Sequence, residues 1–182
     1  MQPGDEQGLL ARAKAFDQAA LSELYDQYSA KIYSYIYYRV GDDKLAEDLT
    51  TSVFIKMLDA IKSSKAWQQS FSGWLYRIAH NAVVDHFRRN KYGPHLQLDE
   101  RLVAQGDDPV TTVEQSISSE FVKSALHHLT DEQQTVIELK FFQELSNLEV
   151  AGIMGKTEGA IKSLQYRALA ALRRHLNVEV EN

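Results

Sequence analysis

Apolar positions recur every three or four residues along nearly the whole chain, the spacing of one face of an α-helix. Alternating strand patterns and tight hairpin signals are scarce, and proline stands only at Pro3, Pro94 and Pro109. The pattern predicts an all-α protein. A first helical block runs from about residue 8 to residue 92. Within it, residues 16–40 read as one long helix ending at Gly41-Asp42-Asp43, where either aspartate can cap the next helix over 44–61. A polar loop over 62–70 precedes a third helix over 72–91. Between residues 93 and 113 no hydrophobic period survives, and two prolines and two glycines mark a linker. A second block, from residue 114, carries four helical segments at about 115–129, 131–142, 146–154 and 157–176. Thr130 and Gln133 have the spacing of a capping box at the second of these. The expected architecture is two small helical domains, 1–92 and 114–182, joined by a flexible acidic linker, 93–113.

The composition agrees with that division. A chain of 182 residues, 44% of them hydrophobic, suits one ordinary domain or two small ones and excludes wholesale disorder. Fourteen of the eighteen Phe, Trp and Tyr residues precede the linker, so the first domain has the larger aromatic core and the second is packed with Leu, Ala and Ile. The absence of cysteine removes disulfides, thiolate zinc sites and thiol switches within the chain. The first residues are polar and acidic, and no stretch approaches the ~20 apolar residues that span a bilayer. A cytoplasmic location is expected. The six histidines lack metal-ligand spacing, and no Gly-rich phosphate loop or nucleophile elbow is present. Neither a metal, a cofactor nor enzymatic activity is therefore expected.

Charge changes the picture more than composition does. The net charge of −5 argues at first against nucleic acid, but its layout is uneven. Residues 74–92 carry a net +3, residues 156–175 a net +4, and residues 99–120, between them, a net −5. Phosphate binding responds to the local field, so two basic islands separated by an acidic connector suit two distinct nucleic-acid contacts.

Each basic island lies on an amphipathic helix. In the second domain, residues 145–155 followed by 156–168 read as a helix-turn-helix, with Gly155 at the bend and Thr157 capping the second helix. At about 100° per residue, Ile161, Leu164, Ala168 and Leu172 share one side, while Ser163, Tyr166, Arg167, Arg173 and Arg174 fall on the opposite half. A basic, hydrogen-bonding stripe of this kind can enter a major groove, although a solvated bundle helix would have the same pattern. In the third helix of the first domain, Leu75, Ile78, Ala79 and Ala82 cluster, and Arg77, His80, Asn81 and Arg88 point away. Trp67, Phe71 and Trp74 lie in or beside the preceding loop. Trp74 reads as a core anchor, whereas Trp67 and Phe71 fit either a core role or stacking on unpaired bases. The second helix, residues 42–59, has five carboxylates against two lysines. Such a face repels DNA and suits either a basic protein surface or solvent.

Taken together, the chain resembles a bacterial RNA polymerase sigma factor of the extracytoplasmic-function (ECF) group, the minimal two-domain kind. The resemblance rests on Glu-Leu-Tyr-Asp-Gln-Tyr at 23–28, Ala-Glu-Asp-Leu-Thr with Val-Phe at 46–54, and Trp-Leu-Tyr-Arg-Ile-Ala-His-Asn with Arg-Arg at 74–89. It continues in Leu-Thr-Asp-Glu-Gln-Gln at 129–134 and in the helix-turn-helix, which ends in Gly-Ala-Ile-Lys-Ser-Leu-Gln-Tyr-Arg-Ala and the residues after it at 159–174. The resemblance implies that Glu47, Asp48, Leu49 and Phe54 meet the clamp helices of the largest subunit of core RNA polymerase, with Thr51 and Ser52 where Gln-Glu is common. It implies that the loop 63–73 and the following helix hold the melted minus-ten promoter strand. Asn81 is the foremost candidate there, Arg77 and Arg88 are placed on phosphates, and His80, Trp67 and Phe71 lie alongside. Lys162, Ser163, Tyr166 and Arg167 would read the minus-thirty-five duplex. Gln134 stands where Arg is usual, which removes a salt bridge common in the family. Besides promoter DNA and polymerase, an anti-sigma factor is the partner such proteins commonly have.

Two other function classes fit parts of the pattern. A helical sensor or dimerisation domain fused to a helix-turn-helix would bind DNA as a dimer without polymerase, but it leaves the basic helix at 74–91 unexplained. A purely protein-binding helical adaptor would leave no DNA footprint and would keep its affinity at high salt.

Overall fold

The computed structural model of the chain describes residues 3–91, 126 and 128–180, and every regular element among them is helical. Contacts divide the chain into two compact units, Met1–Leu102 and Val103–Asn182. The segment 93–113, expected as the acidic linker, and nearly all of the helix expected at 115–129 lie outside the described residues.

Four helices build the first unit: α1 (Pro3–Lys14), α2 (Gln18–Val40), α3 (Asp43–Lys62) and α4 (Phe71–Lys91). The long helix expected over 16–40 starts later, because the chain turns sharply at Phe16, whose φ is +62°. Asp17 then caps α2, its carboxylate accepting the Ala20 amide at 2.8 Å. Gly41, at φ +66°, closes α2 in the left-handed conformation that favours glycine, and Asp42 rather than Asp43 caps α3 through the Leu45 amide at 2.7 Å. Asp43 instead accepts a 2.8 Å hydrogen bond from the Tyr33 hydroxyl. That bond is the main reason the phenol is pushed up to about 12. Ser70 caps α4, accepting the Gly73 amide at 3.0 Å.

The first core is built mainly from α2, α3 and α4, with Leu24, Ile32, Ile36, Val53, Met57, Leu75 and Ala79 all buried. Leu9 and Ala13 bring α1 into it. Aromatic side chains meet edge to face: Tyr35 with Tyr76 at 5.5 Å, Tyr28 with Phe71 at 5.1 Å and Tyr25 with Phe54 at 4.8 Å. Such pairs add about 0.5–1.5 kcal/mol each beyond the area they bury.

The second unit contains α5 (Asp131–Ile137), a π-helical continuation over Glu138–Phe142, α6 (Asn147–Met154) and α7 (Glu158–Val180). Thr130 and Gln133 form the expected capping box, and Ser146 and Glu149 form a second one ahead of α6. Gly155, at φ +63°, makes the turn into α7, where the Thr157 hydroxyl accepts the Ala160 amide at 3.2 Å. Val136, Leu139, Val150, Ile153, Ile161, Leu164 and Ala168 are buried. This core is aliphatic, as the sequence predicts. Gln134 donates to the carbonyls of Leu126 and Leu129 at 2.9 and 3.2 Å, so it closes the turn ahead of α5 instead of forming an ion pair.

Candidate nucleic-acid interfaces

The helix α7 separates its two faces as its periodicity requires. Ile161, Leu164, Ala168 and Ala171 are buried, which turns Lys162, Ser163, Tyr166 and Arg167 outward, Tyr166 with 76% of its surface exposed. Local contacts steady the two cations. Lys162 pairs with Glu158 one turn earlier at 3.2 Å, and Arg167 Nε donates to the Ser163 carbonyl at 3.4 Å. An exposed pair of this kind is worth about 0.3–0.5 kcal/mol, so an approaching phosphate or guanine edge displaces it at little cost. At the helix start, Lys156 bonds Glu132 of α5 at 2.8 Å and fastens the turn to its own domain. All four predicted residues of this site lie on one exposed surface.

On α4 the prediction divides. Arg77, Asn81 and Arg88 are exposed, spaced so that they follow one ridge of the helix. Arg88 is held by Asp85 at 3.0 Å. His80 does not join this ridge. Its Nδ1 lies 3.0 Å from the Tyr35 hydroxyl, and burial, reinforced by the nearby Arg39 cation, pushes the imidazole down to about 4. At neutral pH it is an uncharged, half-buried strut between α2 and α4. The same contact brings Arg39, which the sequence did not single out, beside α4; its guanidinium sits 4.5 Å over the Tyr35 ring. The signal was present in the run Tyr-Tyr-Arg at 37–39, but no helical period indicates which end of α2 approaches α4.

The aromatic loop is also assigned by the structure. Trp67 and Phe71 are 5% and 3% exposed, with ring centres 4.7 Å apart. Both are core side chains and offer no open ring face to an unpaired base. Trp74, read as the core anchor of the three, is only half-buried and leans on Trp67 and Phe71 at 5.5 and 6.1 Å. A hollow of about 310 Å³ beside the loop is lined by Lys14, Ile61, Ser64, Ala66, Trp67 and Gln68.

On α3, Glu47 and Asp48 are exposed, Leu49 is half-buried and Phe54 is buried, its ring against Tyr25. Phe54 is thus a core residue. The exposed ridge is Glu47, Asp48, Thr51 and Ile55, with Ile55 54% exposed. The sequence reading missed Ile55, although its spacing of four and seven residues from Thr51 and Asp48 would have placed it there. No helix among the described residues is long and apolar enough to cross a membrane.

Comparison with known proteins gives these surfaces a context. Residues 24–92 match Sigma-70 region 2, and residues 125–174 match Sigma-70, region 4. The chain is 42% identical over 170 residues to the ECF RNA polymerase sigma factor BldN of Streptomyces coelicolor, covering 92% of this chain and 64% of that one. It is 32% identical over 177 residues to the ECF RNA polymerase sigma factor SigW of Bacillus subtilis, covering 92% of this chain and 94% of the relative. A solved structure of the sigma factor RpoE of Bartonella quintana, in complex with the anti-sigma factor NepR, shares the fold. Its TM-score is 0.68 at 19% identity, over 86% of this chain and 96% of that one.

Proposed function

Because the chain belongs to the ECF RNA polymerase sigma factors, we propose that it binds core RNA polymerase and directs transcription to promoters that it reads at two elements. Residues 1–92 act as the polymerase- and minus-ten-binding domain, residues 93–113 as a linker, and residues 114–182 as the minus-thirty-five-binding domain. The observation that carries this reading is the pairing of surfaces. Each unit presents a basic ridge on its last long helix, Arg77, Asn81 and Arg88 on α4 and Lys162, Ser163, Tyr166 and Arg167 on α7, while α3 presents the acidic ridge of Glu47 and Asp48.

The chemistry divides accordingly. Lys162 and Arg167 donate to guanine edges or phosphates in a major groove, with Ser163 and Tyr166 supplying adaptable hydrogen bonds. Asn81, an amide that donates and accepts, reads a base edge of the melted strand, and Arg77 and Arg88 hold its backbone. Glu47 and Asp48 repel DNA and meet the clamp helices of the polymerase's largest subunit, with Leu49 at the edge of that contact. His80, Trp67, Phe71 and Phe54 support these ridges from beneath. Upstream binding raises the local concentration of the first domain over the melting site, so neither half needs high affinity alone. The protein works by binding and performs no catalysis itself. Its activity belongs in the cytoplasm, with the polymerase, and an anti-sigma factor that covers these ridges would silence it.

Footprinting with core polymerase tests the assignment. Lys162→Ala or Arg167→Ala is expected to lose upstream protection, and Asn81→Ala to change minus-ten base preference with upstream protection intact. Equal loss at both elements from all three variants would contradict it.

A further inference from the structure

Helix α1 and the turn after it precede the segment that matches Sigma-70 region 2, which starts at residue 24. Nothing in the proposed function uses them. Yet they are joined to the end of α3 and the loop over 63–70 that follows it by two crossed contacts. The Lys14 ammonium, from the end of α1, sits 5.0 Å over the Trp67 ring of the loop. The Lys62 ammonium, from the end of α3, sits 5.0 Å over the Phe16 ring of the α1–α2 turn. The end of α1 and its turn supply Lys14 and Phe16, and the end of α3 and the loop after it supply Lys62 and Trp67, so the two stretches grip each other reciprocally.

Backbone conformation singles out the same two segments. Phe16 and Ser64 both have positive φ, +62° and +56°, which side-chain-bearing residues rarely adopt; among the described residues of the first unit no other non-glycine does so. Strain of this kind persists only where surrounding contacts hold it, and here the crossed cations bridge the two strained turns. Lys14 also lines the hollow beside the loop, together with Ser64, Trp67 and Gln68. Leu9 and Ala13, 2% and 0% exposed, anchor α1 in the core, which gives Lys14 a fixed base.

We infer that Lys14 and Lys62 are positioning residues that hold the 63–70 loop in the conformation that reads the minus-ten strand, which makes α1 a part of the promoter-reading apparatus. The inference rests on the proposal that this loop, together with α4, holds the melted minus-ten strand. Side chains of the loop then face the strand with one geometry, and the discrimination between bases depends on that geometry being kept.

The test is transcription by core polymerase with the full chain, on promoters that differ only at single minus-ten positions or only at single minus-thirty-five positions. Lys14→Met keeps side-chain length and removes the charge; Lys14→Arg keeps the cation. Lys14→Met is expected to relax minus-ten discrimination by about two- to fivefold, the scale of one lost cation–π contact. Minus-thirty-five discrimination and polymerase affinity should stay unchanged, Lys14→Arg should restore the preference, and Lys62→Met should copy the Lys14→Met effect. Unaltered minus-ten discrimination in both Met variants would overturn the inference, and so would equal loss in Lys14→Met and Lys14→Arg. Loss spread evenly over both elements would overturn it too, since that is the signature of general destabilisation. Asn81→Ala serves as the reference. If it shifts minus-ten preference while the lysine variants do not, only the role of α1 fails; if it also has no effect, the assignment of the minus-ten surface fails with it.

Discussion

At the residue scale, His80 shows how a helical period can misplace a side chain. With Leu75 as the centre of the buried face, His80 falls about 140° away and counts as outward. Tyr76 and Val83 are buried as well, which rotates the true centre towards them and brings His80 to the boundary, within reach of the long Tyr35 side chain. A consequence in pH follows. The imidazole titrates near 6.5 in an unfolded chain and is pushed down to about 4 in the folded one. Between those values the unfolded chain binds the proton first, so stability falls as pH drops from about 6.5 towards 4 and is insensitive to His80 above that window. Urea titrations across this range should show the slope, and His80→Gln should remove the part due to this residue. Tyr35→Phe deletes the hydroxyl opposite Nδ1 and should cost about 0.5–1.5 kcal/mol at neutral pH in the same experiment. On α7 the period succeeds, because a single seam of Ile161, Leu164 and Ala168 fixes the orientation. There, Arg167→Ala is expected to weaken binding of the upstream duplex by about 1–3 kcal/mol if it bonds a base, and to lower the salt slope by about one if it bonds phosphate.

At the element scale, termini were legible where their chemistry is local. Gly41, Asp42, Thr130, Gly155 and Thr157 stop or cap helices at the positions that their types suggest. Ser146 with Glu149 followed the same rule and could have been found by it. The break at Phe16 could not, since the hydrophobic period runs on and a bulky residue rarely takes positive φ. The π-helical turn at Glu138–Phe142 likewise has no local signature. Trp67, Phe71 and Phe54 were ambiguous for a different reason: residue type alone does not tell a buried ring from one offered to a partner. Two substitutions measure the termini directly. Gly155→Ala places a β-carbon at φ +63° and should destabilise the second unit by about 1–2 kcal/mol in thermal melts. Asp17→Ala removes the cap that restarts the chain after Phe16 and should cost about 1 kcal/mol.

At the scale of the whole molecule, the two-unit division was visible in the sequence as a break in periodicity and a change in aromatic content, and the acidity of the chain as a whole concealed two basic ridges. An overall charge of −5 suits the proposal that the protein meets DNA in the company of polymerase. If the segment 93–113 tethers two weak binders, doubling its length should reduce the effective concentration of one domain for its element by about threefold, read as a loss of promoter occupancy. The most direct measurement is transcription from a random-promoter library by core polymerase with and without this protein. The account predicts RNA chains started only when the protein is present, from templates that share two elements at a fixed spacing. Equal, unselective initiation with and without it, on core enzyme shown to accept another sigma factor, would contradict it.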